Sequence, residues 1–167
     1  MSETTTVEPV LPATHHVVER LWQLYSHDLS AVRETMPDDD GSFRRGRLPA
    51  YLDDPDRAGY LVRCEAGLSG FVLVRGLSGQ HRVLGEFFVV RSVRRRGVGR
   101  AAAHQVLGRH PGRWEIAFQE DNRSAAAFWR QVARDLVGIR WSEERRSVPD
   151  KPDVPPDTWL SLTVPEK

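Results

Sequence analysis

A chain of 167 residues and 19.0 kDa, 40% of them hydrophobic, has the material for one domain around one core. Its formal net charge of +1 argues against nucleic-acid binding through overall charge, so any arginine cluster acts locally. Cys64, the one cysteine, has no partner for a disulfide or a metal site and reads as a strand residue. Apolar runs such as Phe71 to Val74 and Phe87 to Val90 fall far short of the roughly 20 residues of a membrane helix. The segment Met1 to Thr4 has neither a basic start nor an apolar stretch, so no signal peptide is expected and a cytoplasmic location is the default.

In chain order, Thr4 to Val10 reads as a short strand ended by Pro12, and Thr14 as the cap of an amphipathic helix. In that helix Val18, Leu21, Trp22, Tyr25 and Leu29 recur at helical spacing. Periodicity is lost from Ser30 to Asp56, where two acidic runs, Asp38 to Asp40 and Asp53 to Asp56, flank a short helix around Pro49 to Leu52. Three strands follow, Gly59 to Glu65, Leu68 to Gly76 and His81 to Val90, with glycine-containing turns that predict an antiparallel meander. An Ala-rich helix, Val98 to Arg109, stops at His110-Pro111-Gly112. Trp114, Ile116 and Phe118 then alternate with Glu115 and Ala117 as a strand. Asn122 caps a further helix with Ala125, Phe128, Trp129 and Val132 on its buried stripe. Leu136 to Trp141 and Thr158 to Val164 are predicted as closing strands, joined by a proline-rich connection at 147–157. A strand that follows a helix must cross over in parallel, so the expected fold is α/β: a single mixed, mostly antiparallel sheet flanked by helices, in one domain spanning 1–167.

Arg94-Arg95-Arg96-Gly97-Val98-Gly99-Arg100 joins an apolar strand to the Ala-rich helix and has the chemistry of an anion cradle. Its glycines let a ligand approach the backbone, the first-turn N–H groups have no partner inside the helix, and the helix dipole is positive there. Four arginines add charge and forked donors suited to phosphate oxygens. A pyrophosphate-bearing ligand is therefore expected. Gly97 to Ala102 also satisfies the dinucleotide pattern G-x-G-x-x-A, with Glu120 after the next strand as a ribose-binding acid. Six residues between Val90 and Gly97, and the lack of further βαβ repeats after Trp141, count against that alternative.

Three meandering strands, then Arg94-Arg95-Arg96-Gly97-Val98-Gly99, a helix, a strand and Asn122-Arg123-Ser124-Ala125-Ala126-Ala127-Phe128-Trp129 resemble the GCN5-related N-acetyltransferase superfamily over roughly Gly59 to Trp141. The family motif is Arg or Gln, two residues, Gly, one residue, then Gly or Ala; Arg94, Gly97 and Gly99 match it. The resemblance implies an acyl-CoA N-acyltransferase fold with acetyl-CoA as acyl donor and an amine as acceptor. No metal, nucleic acid or membrane is expected, and self-association as a homodimer is left open. It further implies that Phe88, Val89 and Val90 offer backbone to the pantetheine arm, the N–H of Val89 or Val90 polarising the thioester carbonyl. Arg94, Arg95, Arg96, Gly97, Val98, Gly99 and Arg100 would hold the pyrophosphate, and Asn122 and Phe128 would reach the cofactor from the later helix.

Acetyl transfer requires an amine to lose a proton and an oxyanion to find donors. Glu86 is the candidate general base, because it is the carboxylate within an otherwise apolar strand and partial burial would raise its pKa. Glu120 is the second choice and Asp121 the third. The family's usual acid is a tyrosine after the helix phenylalanine, but here the pair is Phe128-Trp129, and an indole is not a useful proton donor. Tyr25 and His27 are candidates to face the acceptor. The acidic runs, should they line the acceptor site, would favour a cationic amine. A non-catalytic acyl-CoA sensor or partner module is the alternative that the missing tyrosine keeps open.

Overall fold

The computed structural model describes residues 3–167. Seven strands, β1 (Thr5–Pro9), β2 (Arg57–Cys64), β3 (Gly67–Arg75), β4 (His81–Val89), β5 (Gly112–Phe118), β6 (Trp141–Arg146) and β7 (Asp157–Val164), form one sheet ordered β1-β2-β3-β4-β5-β7-β6. Four helices flank it: α1 (His15–Arg33), α2 (Leu48–Asp53), α3 (Val98–Arg109) and α4 (Arg123–Val137). Among the described residues the parallel pair is β4 with β5, across the α3 crossover; the other five ladders are antiparallel.

Alternation along the strands builds two cores. On one face Val72, Val74, Val89, Trp114, Ile116 and Leu160 pack under α3 and α4 with Ala102, Val106, Trp129 and Val132. On the other, Phe71, Leu73 and Phe88 pack under α1 and α2 with Val18, Trp22, Tyr25 and Tyr51. Residues 60–62 and 71–74 lie buried on both faces, which explains their continuous apolar character. Tyr25 stands edge-on to Trp22 (ring centroids 5.2 Å apart) and to Phe71 (5.5 Å), geometry that favours aromatic pairs beyond their buried area.

Two expectations need correction. Thr14 stands at the N-cap position of α1 but supplies no side-chain capping bond: it closes a short 3₁₀ turn, Pro12–Thr14, and its hydroxyl donates back to the Leu11 carbonyl at 3.1 Å. The strand expected over 136–141 is instead the end of α4, which runs to Val137 and stops at Gly138 with φ 64°, a conformation glycine adopts without steric cost. The strand itself is Trp141–Arg146, an edge strand whose polar side chains hide it from any apolar pattern.

Candidate active site

β4 and β5 pair only from His81 to Leu84, opposite Arg113 to Ile116. Beyond Leu84, β4 continues through Gly85 to Val89 without β5 beside it, so a wedge opens between two strands of one sheet. A bulge begins this stretch. Leu73 pairs with Glu86 and Val74 with Leu84, which leaves Gly85 as the extra residue on β4. The Tyr51 hydroxyl lies where a Cβ at Gly85 would stand, so only glycine lets α2 bring that phenol against the strand.

Past the bulge, side chains alternate between the two cores. Phe88 faces α1 and α2, Phe87 and Val89 face α3 and α4, and Glu86 falls on the first of these faces. There the Tyr25 hydroxyl donates a hydrogen bond to Glu86 Oε2. Burial pushes the Glu86 carboxyl above its ordinary pKa, while the Tyr25 hydrogen bond and the fields of Arg33, Arg47 and Arg75 pull it partly back. Burial and the neighbouring carboxylate raise Tyr25 well above the ordinary phenol value and raise Tyr51 in the same direction. Glu86 is thus a partly desolvated carboxylate held by one phenol with a second close by.

Main-chain groups line the wedge. The Val90 N–H donates to the Ser69 carbonyl at 2.8 Å, so it belongs to the β3 ladder and is not available to a ligand. Alternation turns the Val89 N–H the other way, into the wedge. The Val89 carbonyl points to the same side and accepts from Arg94 Nε at 2.8 Å. After a 3₁₀ turn at Arg91–Val93, Arg95 takes φ 61° and Gly97 φ 86°, and Gly97 opens α3. A Cβ on Gly97 would meet nothing within 4 Å, and its carbonyl already accepts from Ala101 N–H. The N–H groups of Val98, Gly99 and Arg100 therefore begin the helix without intrahelical acceptors, beside open space.

The arginines of this turn are less free than their number implies. Arg94 pairs with Asp28 at 2.5 Å and Arg91 binds the other oxygen of that carboxylate at 2.7 Å. Arg96 pairs with Glu3 at 3.0 Å, and Arg100 with Asp135. Arg95 is exposed and, among the described residues, its side chain has no acidic partner. Val98 contributes backbone alone, because its side chain is fully buried.

Phe128 sits over Gly99, 3.5 Å from where a Cβ would stand, and lies tilted against Phe87 with ring centroids 5.4 Å apart. Trp129 is 6% exposed and lies edge-on to Phe87 at 5.0 Å, so it is a core residue that closes the α4 side of the wedge. Asn122 caps α4, its Oδ1 accepting from Ala125 N–H at 3.3 Å. Glu120 does not join Glu86: it binds Arg130 at 2.6 Å and the Thr158 hydroxyl at 3.0 Å, on the α4 side of the sheet. Those hydrogen bonds hold its carboxyl below the ordinary range, the opposite of what a base requires. His27 is exposed, with its ring 6.4 Å from Phe43. Asp121 makes no contact that draws it to Glu86. Cys64 ends β2 and accepts from the Ser69 hydroxyl at 3.0 Å.

Tyr51, Gly85 and Asp28 were not singled out from the sequence. The signal for Gly85 was present, since a glycine inside an apolar strand marks a bulge or a close approach. Tyr51 and Asp28 carried none, because their partners lie far along the chain.

The Acetyltransferase (GNAT) family model matches residues 18–133, and the chain belongs to that family. Solved structures share the fold. An acetyltransferase from Thermus thermophilus is 17% identical with TM-score 0.68, covering 96% of this chain and 97% of its own. The spermidine N-acetyltransferase from Vibrio cholerae, in complex with CoA and spermine, is 9% identical with TM-score 0.66 and 95% of each chain covered. The ribosomal-protein-S18-alanine N-acetyltransferase from Escherichia coli is 11% identical with TM-score 0.65, covering 98% of this chain and 96% of its own. No curated protein matches the sequence.

Proposed function

We propose that the protein transfers an acetyl group from acetyl-CoA to a primary amine by direct attack in a ternary complex. The observation that carries this reading is the position of Glu86, a partly buried carboxylate with a raised pKa. It stands on the strand that turns the Val89 N–H into the wedge, next to a helix N-terminus opened by Gly97. In this reading the N–H groups of Val98, Gly99 and Arg100 hold the pyrophosphate, with Arg95 adding a guanidinium that has no acidic partner among the described residues. The Val89 N–H donates to the thioester carbonyl as negative charge develops on its oxygen. Glu86 takes the amine proton, directly or through a water, and Tyr25 fixes the orientation of its carboxylate. Acetyl-CoA supplies the acyl group and a thiolate, which leaves unassisted or takes a proton from water, since Trp129 offers no acid.

Neighbours of the same fold are named for spermidine and for a ribosomal-protein alanine, two unlike amines, so the fold by itself does not choose the acceptor. Trp129 favours a second reading, a domain that binds acyl-CoA without transferring the acyl group. The two separate in one experiment. Acetyl-CoA should raise the melting temperature of the purified protein, and free thiol should appear when amines are added. Stabilisation without thiol release by any amine would favour the sensor; stabilisation by NAD and not by acetyl-CoA would overturn both.

A further inference from the structure

The two acidic runs that would have favoured a cationic acceptor turn elsewhere. Asp38 pairs with Arg44 at 3.6 Å and Asp40 binds the Ser42 N–H at 2.9 Å, forming an exposed turn. Asp54 pairs with Arg57 at 3.4 Å, and Asp56 accepts from the Ser78 N–H at 2.7 Å, tying α2 to the β3–β4 turn. These carboxylates stabilise turns.

The charges gathered around Glu86 are instead positive. Arg47 immediately precedes α2, one turn before Tyr51, whose hydroxyl lies against Gly85. Arg75 lies two residues beyond Leu73, the cross-strand partner of Glu86, and shares the face of Phe71 and Leu73 that looks toward α1 and α2. Arg33 ends α1 two turns after Tyr25. Neighbouring Arg44, Arg45 and Arg57 all have carboxylate partners, whereas Arg33, Arg47 and Arg75 have none among the described residues. The fields of these three arginines act on Glu86 against its burial, pulling its carboxyl partly back toward its ordinary range.

Resting on the acetyl-transfer reading above, we infer that the acceptor amine carries an anionic group of its own, a carboxylate or a phosphate, which Arg47 and Arg75 bind while its amine faces Glu86, Arg33 adding to the positive field. Guanidinium forks match both anions in geometry. The same positive field disfavours the ammonium form of the amine and so eases its deprotonation. A polyamine, whose remaining ammonium groups would face three unpaired arginines, meets like-charge repulsion.

The test is initial-rate thiol release from acetyl-CoA with matched amines: L-phenylalanine against L-phenylalaninamide, O-phosphoethanolamine against ethanolamine, and spermidine. The wild type should favour the anionic member of at least one pair by about tenfold or more in kcat/KM, and which pair responds tells carboxylate from phosphate. In an Arg47→Ala/Arg75→Ala protein that advantage should collapse to about twofold or less, through KM rather than kcat, and Lys at both positions should restore part of it. Preference for the neutral amines or spermidine, or an advantage that survives the double substitution, would overturn the inference and leave acetyl transfer standing. Thiol release with none of the five amines would overturn acetyl transfer and this inference with it.

Discussion

On the α3 side of β4 the groups proposed to meet acetyl-CoA are main chain: the Val89 N–H, the first-turn N–H groups of the helix, and the open space at Gly97. On the α1 and α2 side they are side chains from distant segments, with Tyr25 and Glu86 61 residues apart and Tyr51 between them in sequence. A backbone cradle depends on backbone conformation and on the absence of a Cβ, and it forgives most changes of side chain. A side-chain cluster depends on the packing of every helix that supplies it. The pair therefore implies that the donor side is generic and the acceptor side individual, and the variants below strike one side, the other, or the link between them.

After that of Glu86→Gln, the largest loss of turnover is expected from Tyr25→Phe. It removes a charge-assisted hydrogen bond worth about 1.5–3 kcal/mol and one of the influences that lowers the Glu86 pKa. Turnover should fall by about tenfold or more at neutral pH while acetyl-CoA affinity by calorimetry is unchanged. Gly97→Val should do the reverse. A β-branched residue at φ 86° disfavours the turn, and acetyl-CoA should bind at least about tenfold more weakly, roughly 1.4 kcal/mol. The Tyr25–Glu86 pair should persist in that variant; loss of both functions together would mean that the two sides are not separable.

A smaller effect tests the link between the sides. Asp28, one turn after Tyr25 on α1, binds Arg94, which in turn holds the Val89 carbonyl. Asp28→Asn weakens two partly exposed ion pairs, and thermal melts should show a loss of about 0.5–1 kcal/mol. Glu86 also leaves a signature in stability. Its pKa is raised on folding, so its contribution is fully present below the ordinary glutamate range of about 4.3 and declines as pH rises through the raised value. Glu86→Gln should thus be at least as stable as wild type at neutral pH, with the difference shrinking on acidification; a variant destabilised at neutral pH alone would contradict the sign.

The same contrast decides what could be read from the chain. The cradle was legible because its parts are consecutive: an apolar strand, Arg94 to Gly99 and an Ala-rich helix define a strand–turn–helix without knowledge of anything remote. The charge of the turn was misjudged for the complementary reason. Asp28, Glu3 and Asp135, which engage Arg91, Arg94, Arg96 and Arg100, come from three other segments, and no local pattern foretells them. Glu86 stood out as a carboxylate in an apolar strand, but its phenol partner and the ion pair that draws Glu120 away are tertiary facts. β6 was misplaced because an edge strand that buries little of its polar surface has no period-2 signal, and the helical stripe before it ran on to Val137.

Whether Glu86 accepts the amine proton is decided by kcat/KM for an amine measured against pH in wild type and Glu86→Gln. Wild type should show an acidic limb governed by a pKa above the ordinary glutamate value. The variant should lose that limb, bind acetyl-CoA as tightly as wild type, and turn over more slowly by roughly 10²-fold near neutral pH, the deficit narrowing as alkaline pH supplies free amine. A Glu86→Gln protein with undiminished kcat/KM and an unchanged acidic limb would contradict the assignment.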